Sequence, residues 1–244
     1  MKTYTPRPRE MAQEQICAYI LDNHLKPYDQ LPTEREMCEM WGFNRCTLSG
    51  AVKRLVSEGQ LIAKQGSGIC ISPRFSRFVQ GLDGFTEHAI KDGHKVETRL
   101  LSFAIVECDA HLGKQFHRVL GDKLYRISRL RLADDFPVMI EHSFIPCEYA
   151  EGLEEHDLVH GSLFSILSDV YDIELDHGHE RARVTSATED EASELDIEEG
   201  SPVFLITSYT EDKDNRLIEY CRTIGRADML ELISSLRWMG GKDE

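Results

Sequence analysis

The strongest constraint on the fold is the segment LPTEREMCEMWGFNRCTLSGAVKRLVSEGQLIAKQGSG, which joins two capped helical patterns to a basic ribbon punctuated by glycine. Thr33 and Glu36 form a capping box, in which the Thr hydroxyl accepts the N3 amide and the Glu carboxylate reaches back. A helix therefore begins at this box and ends at Gly42. Asn44 can cap a further helix, which Gly59 ends. The segment predicts two consecutive helices separated by a short turn.

A helical pattern precedes this segment and a strand pattern ends it. Apolar residues recur at helical spacing over residues 12–20, which predicts a first amphipathic helix. The sequence LIAKQGSGICIS predicts a hairpin around Gly66 and Gly68, with Lys64 and Gln65 at its tip. Three helices followed by a basic hairpin are the element order of a winged helix-turn-helix domain.

Charge divides the chain into two parts. The whole sequence has 28 Lys and Arg against 43 Asp and Glu, a net charge of −15. Residues 1–77 hold 11 of the basic and 8 of the acidic residues, a net charge of +3, which leaves −18 for residues 78–244. Because the acidic part would repel a polyanion, any contact with nucleic acid is expected within residues 1–77. A solvated, locally basic face is the alternative.

The third predicted helix carries residue types that read DNA. An α-helix fits the major groove, and Arg45 near its N-terminus can donate two hydrogen bonds to guanine O6 and N7. Amides at helix N-termini, and Arg35 in a first turn, can meet phosphates. An ordinary surface charge is the alternative for Arg45, and a plain turn is the alternative for the glycines of the hairpin. The candidate DNA-binding residues are Arg35, Asn44, Arg45, Thr47, Ser49, Lys53, Lys64, Gln65 and Gly66.

The stretch from residue 10 to residue 72 resembles the winged-helix reader of the GntR family of bacterial transcriptional regulators. The resemblance rests on the Pro-Thr-Glu-Arg start, an arginine at the head of the recognition helix and a Gly-x-Gly wing. Four positions depart from the family pattern: Phe43 and Asn44 replace the usual Val and Ser, and Ser49 and Ser67 stand where arginine is frequent. The resemblance implies DNA binding, and the departures imply that it is weaker or more selective.

The pattern changes after the segment SPRFSRFVQGLDGF, which predicts a linker over residues 74–81. Strands are expected at residues 99–106, 125–132, 137–145, 179–188, 202–209 and 217–224, and short helices at residues 109–116, 162–171 and 188–195. Such a mixture predicts an α+β domain built on an antiparallel sheet. The expected domains are a winged helix-turn-helix over residues 1–73 and the α+β domain over residues 82–244.

Three motifs in this second part resemble the UTRA ligand-sensing domain of the HutC branch of the GntR regulators: RISRLRLADDFPVMIEHSFIP, GSLFSILSDVYDI and RLIEYCRTIGRADML. The resemblance covers residues 80–236 and implies a chorismate-lyase-like fold, a homodimer and a small effector bound between sheet and loops. It implies that Arg129 and Arg131 hold an anionic group of the effector. The implied effector-binding set is Arg129, Arg131, Glu141, Ser162, Phe164, Glu219, Phe85 and Thr86.

Two of these residues also form a pattern of their own. Arg129 and Arg131 alternate along one predicted strand, so their side chains share a face and offer two guanidinium groups to a carboxylate or a phosphate. A cross-strand ion pair between Arg129 and Glu141 is the alternative.

Other effector positions have alternatives as well. Glu219 can pair with Arg222 or Arg226 instead of reading a ligand. Phe164 stands where sugar-phosphate sensors of this type have a tyrosine, and Gly84 where a hydroxyl residue can help. A phosphorylated sugar and another anion, such as a carboxylate, are both candidates for the effector.

The combined expectation is a transcriptional repressor that binds a palindromic operator as a homodimer under the control of a small polar or anionic metabolite. Retained lyase-like activity of the second domain is the alternative, although no Ser-His-Asp order, nucleotide loop or metal-ligand set supports it. No cofactor or metal is expected. The seven scattered cysteines predict reduced thiols. The absence of an apolar run of about 18 residues predicts a cytoplasmic protein without a membrane span.

Overall fold

The structure is a computed structural model that describes residues 6–64, 68–73, 75–78, 89–90 and 93–233. The helices are α1 (Pro8–Asp22), α2 (Glu34–Trp41), α3 (Arg45–Ser57), α4 (Ala110–Phe116), α5 (Leu163–Tyr171) and α6 (Glu189–Leu195). The strands are β1 (Leu61–Lys64), β2 (Gly68–Ile71), β3 (Phe75–Phe78), β4 (Val96–Glu107), β5 (Lys123–Ala133), β6 (Phe136–Pro146), β7 (Leu175–Ser186), β8 (Pro202–Asp212), β9 (Leu217–Arg226) and β10 (Leu230–Ile233). Two short 3-10 helices, Cys147–Tyr149 and Leu153–Glu155, follow β6.

The chain forms two compact units. The first unit consists of Met1–Phe75, Val184–Phe204 and Gly225–Leu230, and the second unit of Ser76–Arg183, Leu205–Ile224 and Glu231–Glu244. The predicted domain boundaries at residues 73 and 82 stay a prediction, because residues 74 and 79–88 lie outside the described residues. Within the predicted linker, Phe75–Phe78 form β3, which pairs with β10.

The first three helices pack around one apolar core in the first unit. Ala12 and Ile16 of α1 and Met37 of α2 are fully buried there. The buried stripe of α3 recurs at helical spacing and consists of Leu48, Ala51, Val52 and Leu55. Since these positions occupy one side of α3, the opposite side of the helix is left to solvent.

The predicted helix caps are present. Thr33 Oγ1 accepts the amide of Glu36 at 3.3 Å, and the Glu36 carboxylate accepts the amide of Thr33 at 2.8 Å. Gly42 ends α2 in the left-handed region, with φ of 72°, where glycine meets no Cβ clash. Asn44 Oδ1 accepts the amide of Thr47 at 2.8 Å and so caps α3. The turn between the two helices is therefore fixed by bonds within a few residues.

Strands β1 and β2 form the predicted antiparallel hairpin. The loop before α2 runs alongside this hairpin. The amide of Leu31 donates to the carbonyl of Ile69 at 2.8 Å, and Gln30 and Cys70 form an isolated antiparallel β-bridge. Backbone bonds on this edge hold the hairpin, or wing, against the helices of the first unit.

A buried arginine fixes the turn between β9 and β10. Arg226 Nε donates to Asp228 Oδ1 at 3.0 Å, and its Nη2 donates to Oδ2 at 2.7 Å. The remaining Nη1 donates to the carbonyl of Leu195 at 3.3 Å. The carbonyl of Asp228 accepts the hydroxyl of Ser72 at 2.9 Å. Within the first unit, this turn is thereby tied to α6 and to the residue after β2.

Six strands form the main sheet, in the order β4-β5-β6-β9-β8-β7. The pairs β4–β5 and β5–β6 are antiparallel, and Arg129 of β5 lies directly opposite Glu141 of β6. Strand β6 has β9 as its other neighbour, although these strands are far apart in sequence. The sheet therefore brings the motifs around β5, β6 and β9 side by side.

Apolar clusters cover both faces of this sheet. Tyr125 and Ile127 of β5 belong to a cluster that includes Leu163 and Leu167 of α5. Leu124 belongs to a different cluster, together with residues of α4. This division follows from strand geometry, because consecutive side chains point to opposite faces. Arg129 and Arg131 continue the alternation of Tyr125 and Ile127, on the face of α5.

The fold confirms the predicted α+β class, with a winged helix-turn-helix followed by an antiparallel-sheet domain. The prediction was wrong at the ends of β7, which spans Leu175–Ser186 instead of residues 179–188. This strand lies at the edge of the sheet and is mostly exposed. Its polar start therefore shows no apolar alternation that a sequence pattern could detect.

Three further properties concern the described part of the chain. None of its helices is long and apolar enough to cross a membrane. In the same ranges, no group of three or more His, Cys, Asp or Glu side chains is arranged to hold a metal ion. All seven cysteines are free thiols, and Cys46 is the exposed one.

We expect Thr33→Ala to lower the free energy of unfolding by about 1 kcal/mol, because the substitution removes one side of the capping box at the start of α2. Thr33→Ser keeps the hydroxyl and should stay close to the wild type. The measurement is urea unfolding followed by Trp41 fluorescence in a Trp238→Phe background. Equal stability of the Ala and Ser variants would show that the cap contributes nothing.

Candidate functional site

The exposed side of α3 presents the predicted DNA-binding residues in a row. Arg45, Ser49 and Lys53 are four residues apart, so they lie on one side of the helix, beside its buried stripe. Arg45 is the first residue of α3, and both it and Lys53 are exposed. No carboxylate in the described ranges pairs with either cation. Both charges are therefore available to a polyanion.

These residues line a cleft of about 520 Å³. Its lining residues are Arg9, Arg45, Cys46, Ser49, Gly50 and Lys53, so the cleft contains three cations and no carboxylate. A second cleft of the first unit, of about 700 Å³, is lined by Glu36 and Glu39 and by no cation. Electrostatics therefore favour the α3 cleft, and not the larger one, as the surface that meets DNA.

Arg9 is a member of the α3 cleft that the sequence patterns did not single out. It belongs to the first turn of α1, and its guanidinium lies against Gly50 of α3. A Cβ at Gly50 would lie only 2.7 Å from Arg9 Nε. The available sequence signal was the glycine itself, because a glycine inside a helix often marks a close approach.

The other predicted DNA-binding residues have local roles in the structure. Arg35 forms an exposed ion pair with Glu39, at 3.1 Å. Asn44 and Thr47 meet in the cap of α3, which uses the side-chain oxygen of Asn44. Lys64 ends β1. Two of the predicted residues, Gln65 and Gly66, lie outside the described residues.

The predicted effector residues of β5 and β6 form one buried charged cluster. Arg129 Nη2 donates to Glu141 Oε2 at 3.0 Å, and Arg131 Nη1 donates to the same oxygen at 3.2 Å. All three residues are more than nine-tenths buried. The cross-strand ion pair considered as an alternative is thus present, with two arginines sharing one carboxylate oxygen.

This cluster is not fully satisfied. Arg129 Nε is buried and has no hydrogen-bond partner in the described part of the chain. Burial lowers the pKa of Arg131 from its ordinary value, an effect that the charge of Glu141 opposes. A buried guanidinium nitrogen without a partner can donate to an oxygen of an anionic ligand.

Polar side chains that the sequence analysis did not predict lie on the same face of the sheet as the buried charged cluster, on β6 and β9. The hydroxyl of Ser143 donates to Cys221 Sγ at 3.7 Å, and Thr223 Oγ1 lies 3.7 Å from the same sulfur. All three side chains are buried. Burial, followed by the charges of Glu219 and Glu141, raises the pKa of Cys221 to about 12. The thiol is therefore neutral near pH 7, which makes it a poor nucleophile.

The remaining predicted effector residues lie on α5, on β9 and in the segment before β4. Ser162 caps α5, where its hydroxyl accepts the amide of Ser165 at 3.4 Å, and Phe164 packs on the apolar cluster that includes Ile127. Glu219 is a buried residue of β9. Phe85 and Thr86 lie outside the described residues.

A winged helix with a cation-lined cleft, followed by a sheet domain with a buried charged cluster, defines a DNA-binding transcriptional regulator with an effector domain. Two family models match the chain accordingly. Residues 8–71 match the bacterial regulatory proteins of the gntR family, and residues 91–231 match the UTRA domain. The chain belongs to the GntR family of transcriptional regulators, in its HutC branch.

Individual relatives agree with this assignment. The HTH-type transcriptional repressor NagR of Bacillus subtilis is 31% identical over 216 residues, which cover 88% of each chain. A probable repressor of the fructoselysine utilization operon of Escherichia coli is 23% identical and covers 83% of this chain and 84% of its own. The crystal structure of PhnF from Mycobacterium smegmatis has the same fold, with a TM-score of 0.67, 20% identity and coverage of 93% of this chain and 99% of its own. NagR is described as a transcriptional repressor and the Escherichia coli relative as a probable one, and the family is one of regulatory proteins and not of enzymes.

We expect Glu141→Gln to lower the free energy of unfolding by about 3 kcal/mol, because it leaves two buried guanidinium groups without their shared carboxylate. Inorganic phosphate should raise the melting temperature of the variant more than that of the wild type, since the anion can replace the lost charge. Thermal unfolding with and without phosphate measures both effects.

The matched control is Glu97→Gln, which removes the same charge from an exposed pair with Arg99 and should change the stability by less than about 0.5 kcal/mol. A loss in Glu141→Gln no larger than in this control would contradict the role given to the buried cluster.

Proposed function

We propose that this protein is a cytoplasmic repressor that binds a palindromic operator as a homodimer and releases it when a small anionic metabolite binds. The observation that carries the DNA-binding part is the cleft on α3, which gathers three exposed cations. Exposed cations gathered in one cleft can neutralise phosphates of a duplex.

The recognition role belongs to α3. A helix fits the major groove and reads bases with the residues near its N-terminus, where Arg45 stands. Thirteen helical residues span roughly 20 Å, so one helix covers a half-site only. A two-fold homodimer would supply the second helix about one turn of DNA away, which explains why the proposed operator is palindromic.

The first test is Arg45→Ala on two duplexes. One duplex is selected by the wild type from a random library, and the other is the same duplex with its selected guanines replaced. If Arg45 bonds a guanine, the variant should lose about 1–3 kcal/mol of discrimination between them. Fluorescence anisotropy at fixed salt gives the affinities. Equal weakening on both duplexes would make Arg45 a phosphate contact and would contradict this placement of the helix.

Arg54→Ala is the matched control, because it removes an exposed arginine from the far end of the same helix, where Arg54 pairs with Glu58. It should keep the discrimination of the wild type. The exposed Cys46 provides a direct probe of the cleft: bound duplex should slow its reaction with maleimide. Unchanged labelling in the complex would place DNA elsewhere.

The effector part of the proposal rests on the buried cluster of β5 and β6. Arg129 and Arg131 lie on one face of β5 and share a single carboxylate oxygen. Arg129 Nε is a buried donor without a partner in the described ranges. We therefore assign a phosphate or carboxylate group of the effector to these two arginines.

The chemical class of the effector follows from the neighbouring polar groups and from the relatives. Serine and threonine hydroxyls near the cluster, such as those of Ser143 and Thr223, suit a metabolite with several polar groups. One relative is described as a probable repressor of fructoselysine utilization. A phosphorylated sugar derivative is the effector that combines both observations with the arginines, and a carboxylate is the second choice.

The proposed switch is a shift of population between two states. A metabolite that binds one state more tightly can shift the operator-competent population by that difference and no more, typically about 1–3 kcal/mol. Residues that bind the metabolite therefore control the response to it and not the operator affinity itself.

The second test is Arg131→Ala in an operator-binding titration with fractionated cell-extract metabolites. The variant should keep operator affinity near that of the wild type but lose release by the active fraction, because one of the two guanidinium groups is gone. Arg99→Ala, which removes an exposed arginine of β4, is the control and should respond as the wild type does. A full response of Arg131→Ala would make the strand arginines structural and would place the effector site elsewhere.

A further inference from the structure

We propose that Arg9 of α1 is a phosphate contact of the operator complex, held in place by packing of its guanidinium on Gly50 of α3. The inference rests on the proposed DNA-binding function and adds a cation from a different helix to the surface of α3. The geometric basis is the absence of a side chain at Gly50, which leaves room for Arg9 beside the row of Arg45, Ser49 and Lys53.

The contact between Arg9 and Gly50 is close. A Cβ at Gly50 would lie 2.7 Å from Nε, 3.1 Å from Cζ and 3.3 Å from Cδ of Arg9. Real Cβ atoms do not approach a neighbour to 2.7 Å, so any residue other than glycine would displace the guanidinium. Glycine inside a helix is unfavourable relative to alanine. Its presence at the point of contact therefore matches a requirement for space.

The charges of the cleft have a gap that Arg9 fills. The row on α3 has cations at Arg45 and Lys53, but Ser49 between them is neutral. Arg9 lines the same cleft as Ser49. Arg9 of α1 therefore supplies a cation beside the neutral position of the row.

Comparison of Arg9 with other exposed arginines of the first unit supports a role for Arg9 in binding an anion. Arg35 and Arg54 each have a glutamate one helical turn away as a partner. In the described part of the chain, Arg9 has no carboxylate partner, although it is exposed. An unpaired guanidinium that is already positioned by packing loses less freedom when it binds an anion than a free one.

The ligand of Arg9 is the phosphate backbone and not a base. Base edges are read by residues near the N-terminus of the recognition helix, whereas a large share of protein–DNA hydrogen bonds from other elements goes to phosphate oxygens. Arg9 belongs to a different helix, α1, which packs on α3 in the core of the first unit. A phosphate contact strengthens binding to every sequence alike and increases its dependence on salt.

The experiment compares Arg9→Ala, Gly50→Ala and the double variant, with Arg54→Ala as the charge-matched control. Anisotropy titrations over a range of salt use the duplex selected by the wild type and a mixed-sequence duplex of the same length. Arg9→Ala should weaken both duplexes roughly tenfold. It should also lower the salt slope by about 1 for each Arg9 in the complex. Arg54→Ala should leave both quantities near the wild type.

Gly50→Ala tests the packing step separately. It should weaken binding to both duplexes while thermal stability stays equal to or above that of the wild type, because alanine is the better helix former. The double variant should bind no more weakly than Arg9→Ala alone, since both substitutions remove the same contact. Additive losses would overturn the packing of Arg9 on Gly50.

The outcomes separate this inference from the proposed function. Wild-type affinity and salt slope in Arg9→Ala, with discrimination lost in Arg45→Ala, would overturn the inference alone. A loss confined to the selected duplex would make Arg9 a base contact and would also overturn it. Failure of the wild type to enrich any duplex from the random library would instead remove the proposed function.

Discussion

The sheet domain depends on the contact of two buried guanidinium groups with one carboxylate oxygen. Arg129 and Glu141 are directly opposite across β5 and β6, and Arg131 reaches the same oxygen from two residues along the strand. A slip of one residue would turn these side chains to the other face and leave buried charges unpaired. The cluster therefore fixes the register of the central strands. The cluster also costs free energy of folding, because its charges must be desolvated. Apolar residues of similar size would avoid this cost. The proposed recognition of an anion provides a physical reason to keep it.

The DNA-binding surface consists of exposed charges, in contrast to the buried charges of the sheet domain. Its cations are exposed and lack carboxylate partners in the described ranges, while the apolar stripe of α3 holds the helix in the core. Exposed cations cost little desolvation when they are free and gain most when a polyanion replaces their counterions. The first 77 residues can therefore bind DNA although the whole chain carries a net charge of −15. The charges of the β5–β6 cluster are buried, which suits a small effector. The cations of the α3 cleft are exposed, which suits a large polyanion.

Much of the candidate site could be predicted because it depends on short-range rules. Alternation along a strand places Arg129 and Arg131 on one face, and the capping pattern at Asn44 places Arg45 at the exposed start of a helix. Contacts between distant segments could not be predicted in this way. Ser143 meets Cys221 only because β6 lies beside β9, and Arg9 meets Gly50 only because α1 packs on α3. Neither contact leaves a periodic signal in the sequence.

The sequence by itself determined the order of the helices and of the strands other than β3 and β10, the caps of the helices and the faces on which charged residues lie. These properties depend on hydrogen bonds and side-chain periods that span only a few residues. Tertiary structure decided which cations share a cleft and which buried charges share a partner. The pairing of Arg129 and Arg131 with one oxygen, and the space over Gly50 that receives Arg9, arise from the packing of whole elements. Packing depends on the shapes of surfaces that are distant in sequence, so no local pattern contains it.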